Sequence, residues 1–316
     1  MALLPFLTYM SICLTLANLR PGWTWRQTAL RGSLIWGAYA LVVVEVLSLA
    51  SLIRREALLV AWLFALFPCL AILLARIRSG SPPRLPRLPE RLGWPELALL
   101  AGIGLILGVT ALVAWFAPPQ TWDSLNYHMA RVAHWAQQAS VEHFATGIEV
   151  QNSRPPGAEF MVLHTYLLAG GDRYANFVQW SAMLLSLAGV SLIAEQLGAG
   201  RRGQLAAGVF VATLPMGIVQ ASSTTNDYLV ALWVLGVASE ALTLREQGPQ
   251  PEIILFLGLS AGLGLATKPT AVAYLAPIGA FVLYLLFARH RTVSALRWSV
   301  AAVALVTLLN TGHLVR

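Results

Sequence analysis

Apolar residues in this chain come in long unbroken blocks and do not alternate with polar ones. Several blocks approach the roughly 20 residues that cross a bilayer as a helix. The pattern predicts spans near 2–19, 33–53, 57–75, 97–117, 174–197, 205–221, 227–244, 253–267, 271–288 and 294–310. Lipid offers no partner to unpaired backbone groups, so each block is expected to be helical. The expected fold is all-α: a polytopic transmembrane bundle of about 10 spans, with an extracytoplasmic loop of amphipathic juxtamembrane helices.

The polar breaks set the topology. "RIRSGSPPRLPRLPERLGWP" holds five Arg, one Glu and five Pro, too polar and Pro-rich to be helical in lipid. It reads as a cytoplasmic linker, dividing N-terminal transmembrane helices at 1–75 from a core at 97–316, with the linker itself at 76–96. The span from Leu97 then leads outward to a loop at 118–173. Counting backwards puts Arg20, Arg26 and Arg31 inside and leaves Arg54 and Arg55 as exceptions to the positive-inside rule. The run "GAEFMVLHTYLLAGG" is too short to cross and is expected to be juxtamembrane or re-entrant. Without it as a span, Arg201, Arg202, Arg245 and the Arg289, His290, Arg291 cluster fall inside, whereas Asp227 and Lys268 fall outside.

Composition agrees: 57% of residues are hydrophobic and 11% charged, and the mean hydropathy is +0.67. The net charge of +7 lies mostly in short loops beside apolar runs, which suits membrane orientation and not nucleic acid. Cys13 and Cys69 sit in apolar segments without metal-ligand spacing. The first charge is Arg20, so the first helix is expected to stay as a span and not be cleaved as a signal peptide. Gly258 and Gly262, four apart in "GLSAGLGLA", read as close helix packing.

The polar residues concentrate in the loop. In "TWDSLNYHMARVAHWAQQ", Asp123, Tyr127, Arg131 and His134 are spaced to share one helix face, with Leu125, Met129, Val132 and Ala136 on another. One reading is an amphipathic helix lying on the membrane with Asp123 as its N-cap. The other is a site for a polar substrate meeting a lipid, because His128, Glu142, His143, Glu149, Arg154, Glu159 and His164 follow closely and four of the six His fall here. In "VQNSRPPGAEF", Pro155 and Pro156 stiffen the chain beside Arg154, which is either a phosphate clamp or an interfacial anchor. Asp227 in "STTNDYLVALW" is a helix cap or a second acid facing Asp123. Lys268 in "LATKPTAV" is a phosphate partner or a snorkelling side chain. Glu45, mid-span and without a companion in the loop, is expected to bond to a neighbouring helix.

The order and spacing of these segments resemble the polytopic glycosyltransferases of the C superfamily, family 39 type, which includes protein O-mannosyltransferases and aminoarabinose transferases. The resemblance runs over about Thr121 to Leu275. It implies a polyprenyl-phosphate sugar donor, an extracytoplasmic acceptor, membrane lipids around the protein, and no nucleic acid. It also implies a bacterial inner-membrane location and inversion at the anomeric carbon. Carried over, Asp123 is the general base and Asp227 the second acid. Arg154 and Lys268 bind the donor phosphate, with Tyr127, His128, Arg131 and His134 supporting the cavity. Some relatives hold a divalent metal, for which His128, His134, Glu142 and His143 are the candidate ligands here. Where some members have an acid before the basic residue of the Pro-Pro motif, this chain has Ser153. Members usually continue beyond the last span, so a C-terminal truncation is expected. The rival reading is a transporter or flippase of lipid-linked saccharides, which would place charges mid-membrane on broken helices.

Overall fold

The computed structural model describes residues 1–80, 92–289 and 292–316. Most of the basic linker and the His290–Arg291 pair therefore lie outside the described residues. Helices make up the described chain, in the order α1 (Leu4–Leu19), α2 (Trp25–Ser48), α3 (Arg55–Arg78), α4 (Trp94–Phe116), α5 (Met129–Gln138), α6 (Val150–Ser153), α7 (Gly157–Ala169), α8 (Asn176–Gln196), α9 (Arg201–Ala212), α10 (Pro215–Ala221), α11 (Asp227–Gln247), α12 (Pro251–Thr267), α13 (Ala271–Arg289) and α14 (Thr292–Val315). Among the described residues seven helices are long and apolar enough to cross a membrane, α9 with α10 forms a bent eighth unit, and α1 and α12 are shorter apolar helices. The protein is a polytopic helical membrane protein, and each predicted span has its helical counterpart.

Two differences from the expected spans have a local cause. α2 begins at Trp25, well before the apolar block at 33, because Thr24 and Gln27 close a capping box at its start. The predicted span at 205–221 is two helices meeting at 70°. Pro215 lacks an N–H and pushes Leu214 out of the helical region, to ψ 119. No Asp, Glu, Lys, Arg or His lies between Gly203 and Asn226, so this broken span has none of the mid-membrane charge that a transport pathway calls for.

Ion pairs gather the helix ends at one end of the bundle, here called the linker end. Arg31 pairs with Glu240 at 2.7 Å and Glu252 at 2.9 Å, Arg20 with Glu252, Arg26 with Glu195 and Arg202 with Glu96. The ends of α1, α8 and α11 thus meet the starts of α2, α4, α9 and α12. At the opposite, loop end, Ile53 N donates to Ala139 O at 3.0 Å and Ser48 pairs with Ser140 at 3.1 Å. That places Arg54 and Arg55 with the loop, as the two exceptions required.

With lipid outside, close packing has to do much of the work of holding the helices together. A Cβ on Gly37 would sit 2.8 Å from the Trp233 ring, and Cβ atoms on Gly258 and Gly262 would sit 2.8 Å from Leu305 and Leu309. α2 thereby lies flush on α11, and α12 on α14, as the glycine spacing predicted. Glu45 lies near the loop end of α2, not mid-span, and accepts from Arg316 Nη2 at 2.7 Å, the expected bond to a neighbouring helix.

Candidate active site

α7 is the floor of the loop end. It is only 13 residues long, yet residues 157–164 are all buried. His164 accepts at Nδ1 from Trp62 Nε1 at 3.1 Å, so its Nε2–H donates to Ala40 O at 3.0 Å. This neutral form ties α7 to α2 and α3, and desolvation lowers the His164 pKa from 6.5 to about 4. At the start of α7 a Cβ on Gly157 would meet Ala266 O at 2.7 Å. Only glycine lets the Pro-Pro segment rest on the end of α12, where Thr267 accepts from Trp233 Nε1 at 3.1 Å and Lys268 follows.

The loop helix lies over α7. It opens with a wide π turn at Ser124–His128 and continues as α5. Its protein-facing side carries Ser124, His128, Arg131, Val132 and Trp135, all buried, while Trp122 and Leu125 are exposed. The predicted shared face of Asp123, Tyr127, Arg131 and His134 therefore does not form. An extra residue in the π turn shifts the phase between Asp123 and Arg131, and buried Glu159 draws His128 and Arg131 inward. His128 Nδ1 lies 2.9 Å and Arg131 Nη1 3.1 Å from Glu159 Oε1. Asp123 is not the N-cap either; it has helical φ −65, and Thr121 Oγ1 accepts from Ser124 N at 3.2 Å.

Three contacts bring the distant segments together. Thr224 Oγ1 donates to Ser124 Oγ at 2.7 Å, setting the Asp123 turn beside the start of α11. Gln151 Nε2 donates to Asn126 O at 2.6 Å, and Arg131 Nη2 to Arg154 O at 2.9 Å. Lys268 Nζ lies 2.6 Å from Asp227 Oδ1, so Asp227 holds that ammonium and makes no side-chain cap. Asp123 and Arg154 are exposed, and neither side chain has a hydrogen bond or ion pair among the described residues. Tyr127 stands among them: its phenol pKa is raised by burial and by the charges of Asp123, Glu159 and Asp227, with Arg154 opposing.

His134 does not join this group; it is exposed and stacks on Phe144 at 4.0 Å. Glu142 and His143 are exposed as well. Among the described residues no three His, Cys, Asp or Glu converge as metal ligands, so the His128, His134, Glu142, His143 set does not fit a divalent ion. Glu159 is the residue whose weight the sequence understated. Its signal was an acid four residues past Pro155 in an otherwise apolar run.

At the loop end of this bundle of membrane-length helices, Asp123 and Arg154 stand exposed near the Asp227–Lys268 pair and the half-buried Tyr127. Residues 153–312, just over half of the chain, match the dolichyl-phosphate-mannose-protein mannosyltransferase family. The chain belongs to that family and is a membrane glycosyltransferase of the GT-C type. No curated protein and no solved structure matches the chain. Arg154, Asp227 and Lys268 lie within the matched residues and Asp123 lies before them.

Proposed function

We propose that the protein transfers a sugar from a polyprenyl-phosphate donor to an acceptor hydroxyl on the extracytoplasmic side of a bacterial inner membrane. The observation that carries this reading is the convergence of Asp123, Arg154, Asp227 and Lys268 on the loop end, although they come from segments far apart in sequence. Asp123 takes the acceptor proton as that oxygen attacks the anomeric carbon from the face opposite the leaving group. The bond from that carbon to the phosphate oxygen breaks, and its electron pair leaves with the lipid phosphate. Arg154 and Lys268 stabilise the charge that develops there. Asp227 keeps Lys268 at the mouth of the site, and Tyr127 lines the space between acid and cation. A free, solvated carboxylate suits a general base because a proton acceptor must reach the hydroxyl, within about 3 Å.

Purified protein in vesicles, supplied with a labelled polyprenyl-phosphate sugar and a cell-envelope extract as acceptor, tests this. Label appearing in a new covalent product is the expected result. Label crossing the bilayer on intact donor, without product, would replace this reading with a transporter.

A further inference from the structure

Two buried arginine–glutamate pairs among the described residues are built differently. At the linker end Arg31 meets Glu240 as a fork, Nε to Oε1 at 2.7 Å and Nη2 to Oε2 at 2.8 Å. At the loop end Arg131 gives Glu159 a single bond through Nη1, and its Nη2 goes to the backbone carbonyl of Arg154. Glu159 Oε2 and Arg131 Nε are left buried without partners. A fork would satisfy more of these groups and hold the pair more strongly. The guanidinium is instead divided between a carboxylate below and a main-chain oxygen above. That oxygen belongs to the residue just ahead of Pro155, whose ring restricts the backbone of Arg154. Glu159 and Arg131 are 1% and 2% exposed, whereas the Arg154 side chain is free.

We propose that Glu159, acting through Arg131, is the positioning residue for Arg154, fixing the main chain from which that side chain reaches the donor phosphate. This inference rests on the donor-phosphate reading of Arg154. Glu159 touches no substrate in this scheme. Its carboxylate orients Arg131, Arg131 pins the Arg154 carbonyl, and the pinned carbonyl leaves the Arg154 side chain only its own rotamers to search.

The test uses the full chain in detergent and geranyl phosphate as a short prenyl-phosphate probe, with a binding constant and a melting temperature recorded for each variant. Glu159→Gln alone strands the Arg131 charge and lowers melting for that reason, so the informative variant is Arg131→Met with Glu159→Gln. It removes both charges while the Gln carbonyl still accepts from His128, and replacing a buried pair whole is often neutral for stability. Melting is expected near wild type with binding weakened about tenfold. Arg154→Ala is expected to weaken binding at least about tenfold in wild type, the range for one lost hydrogen bond to a charged group, and less than about twofold in the double variant, since coupled residues are not additive. Wild-type binding in the double variant, with the full Arg154→Ala effect retained, would overturn the inference alone. A double variant that melts early and recovers its affinity when refolded at lower temperature would reduce Glu159 to a structural part and overturn it too. No effect of Arg154→Ala in wild type would overturn the donor-phosphate reading, and this inference with it.

Discussion

The linker end and the loop end each bury an arginine–glutamate pair, but the charges set beside those two pairs differ. Arg20, Arg26 and Arg31 are matched to Glu252, Glu195 and Glu240, and Arg31 lies over the Trp23 ring at 4.2 Å. At the loop end the buried charges are also matched, around Glu159, while Asp123 and Arg154 are presented outward unpaired. Buried ion pairs tie the helices together; on the proposed function the exposed, unpaired Asp123 and Arg154 meet the ligand. On the proposed function, the same residue types serve anchoring at one end and chemistry at the other.

The largest effect expected from breaking this division is at the linker end. Arg31→Met leaves Glu240 buried and alone, which should cost about 3–5 kcal/mol in thermal unfolding, with turnover per folded molecule unchanged. A loss of turnover without destabilisation would show that charge there does more than anchor. Next is the acid sensitivity of the loop-end floor. The folded pKa of His164 is about 4 against 6.5, so the unfolded chain binds the proton more readily. The stabilising contribution is complete above pH 6.5 and is lost as pH falls toward 4, about 2 kcal/mol by pH 5. Unfolding of wild type and His164→Gln followed from pH 7 to pH 5 should show this slope in the first and not the second.

Arg154→Ala is expected to raise the donor KM about tenfold to a hundredfold, the range for one lost hydrogen bond to a charged group, with melting unchanged. A KM that stays put would move Arg154 from the chemical to the anchoring class. The smallest effect belongs to Ser124→Ala, which removes the acceptor of Thr224 Oγ1. A loss of about 1 kcal/mol, together with a lower kcat through a displaced Asp123 turn, would link the two segments as described. Loss of stability alone would leave Ser124 as packing.

The helices were legible because length and hydropathy are local: a block of apolar residues must cross or bury. The grouping of helix ends was legible too, since Arg54 and Arg55 were assigned to the loop's side of the bundle and do sit with the loop. The bend before Pro215 was written in the proline, but a hydropathy count passes over it. Pairing was not legible at all. Glu240 meets Arg31 from 209 residues away, and no local pattern marks which acid will close on which arginine. In the loop, the fourfold spacing of Asp123, Tyr127 and Arg131 assumed regular helix, and a π turn stabilised by tertiary contacts to Glu159 and Thr224 does not announce itself in composition. The density of ionisable groups pointed to the loop end, where His128, Arg131 and Glu159 converge; which of them are free depends on packing.

The most direct measurement of the central claim is transfer from a labelled polyprenyl-phosphate sugar by Asp123→Asn protein reconstituted beside wild type, with membrane insertion and melting recorded for both. Loss of a general base is expected to slow transfer about a hundredfold to ten-thousandfold while insertion and melting stay as in wild type. Transfer by the Asn variant at the wild-type rate would contradict the assignment of the unpaired carboxylate at the loop end as the base.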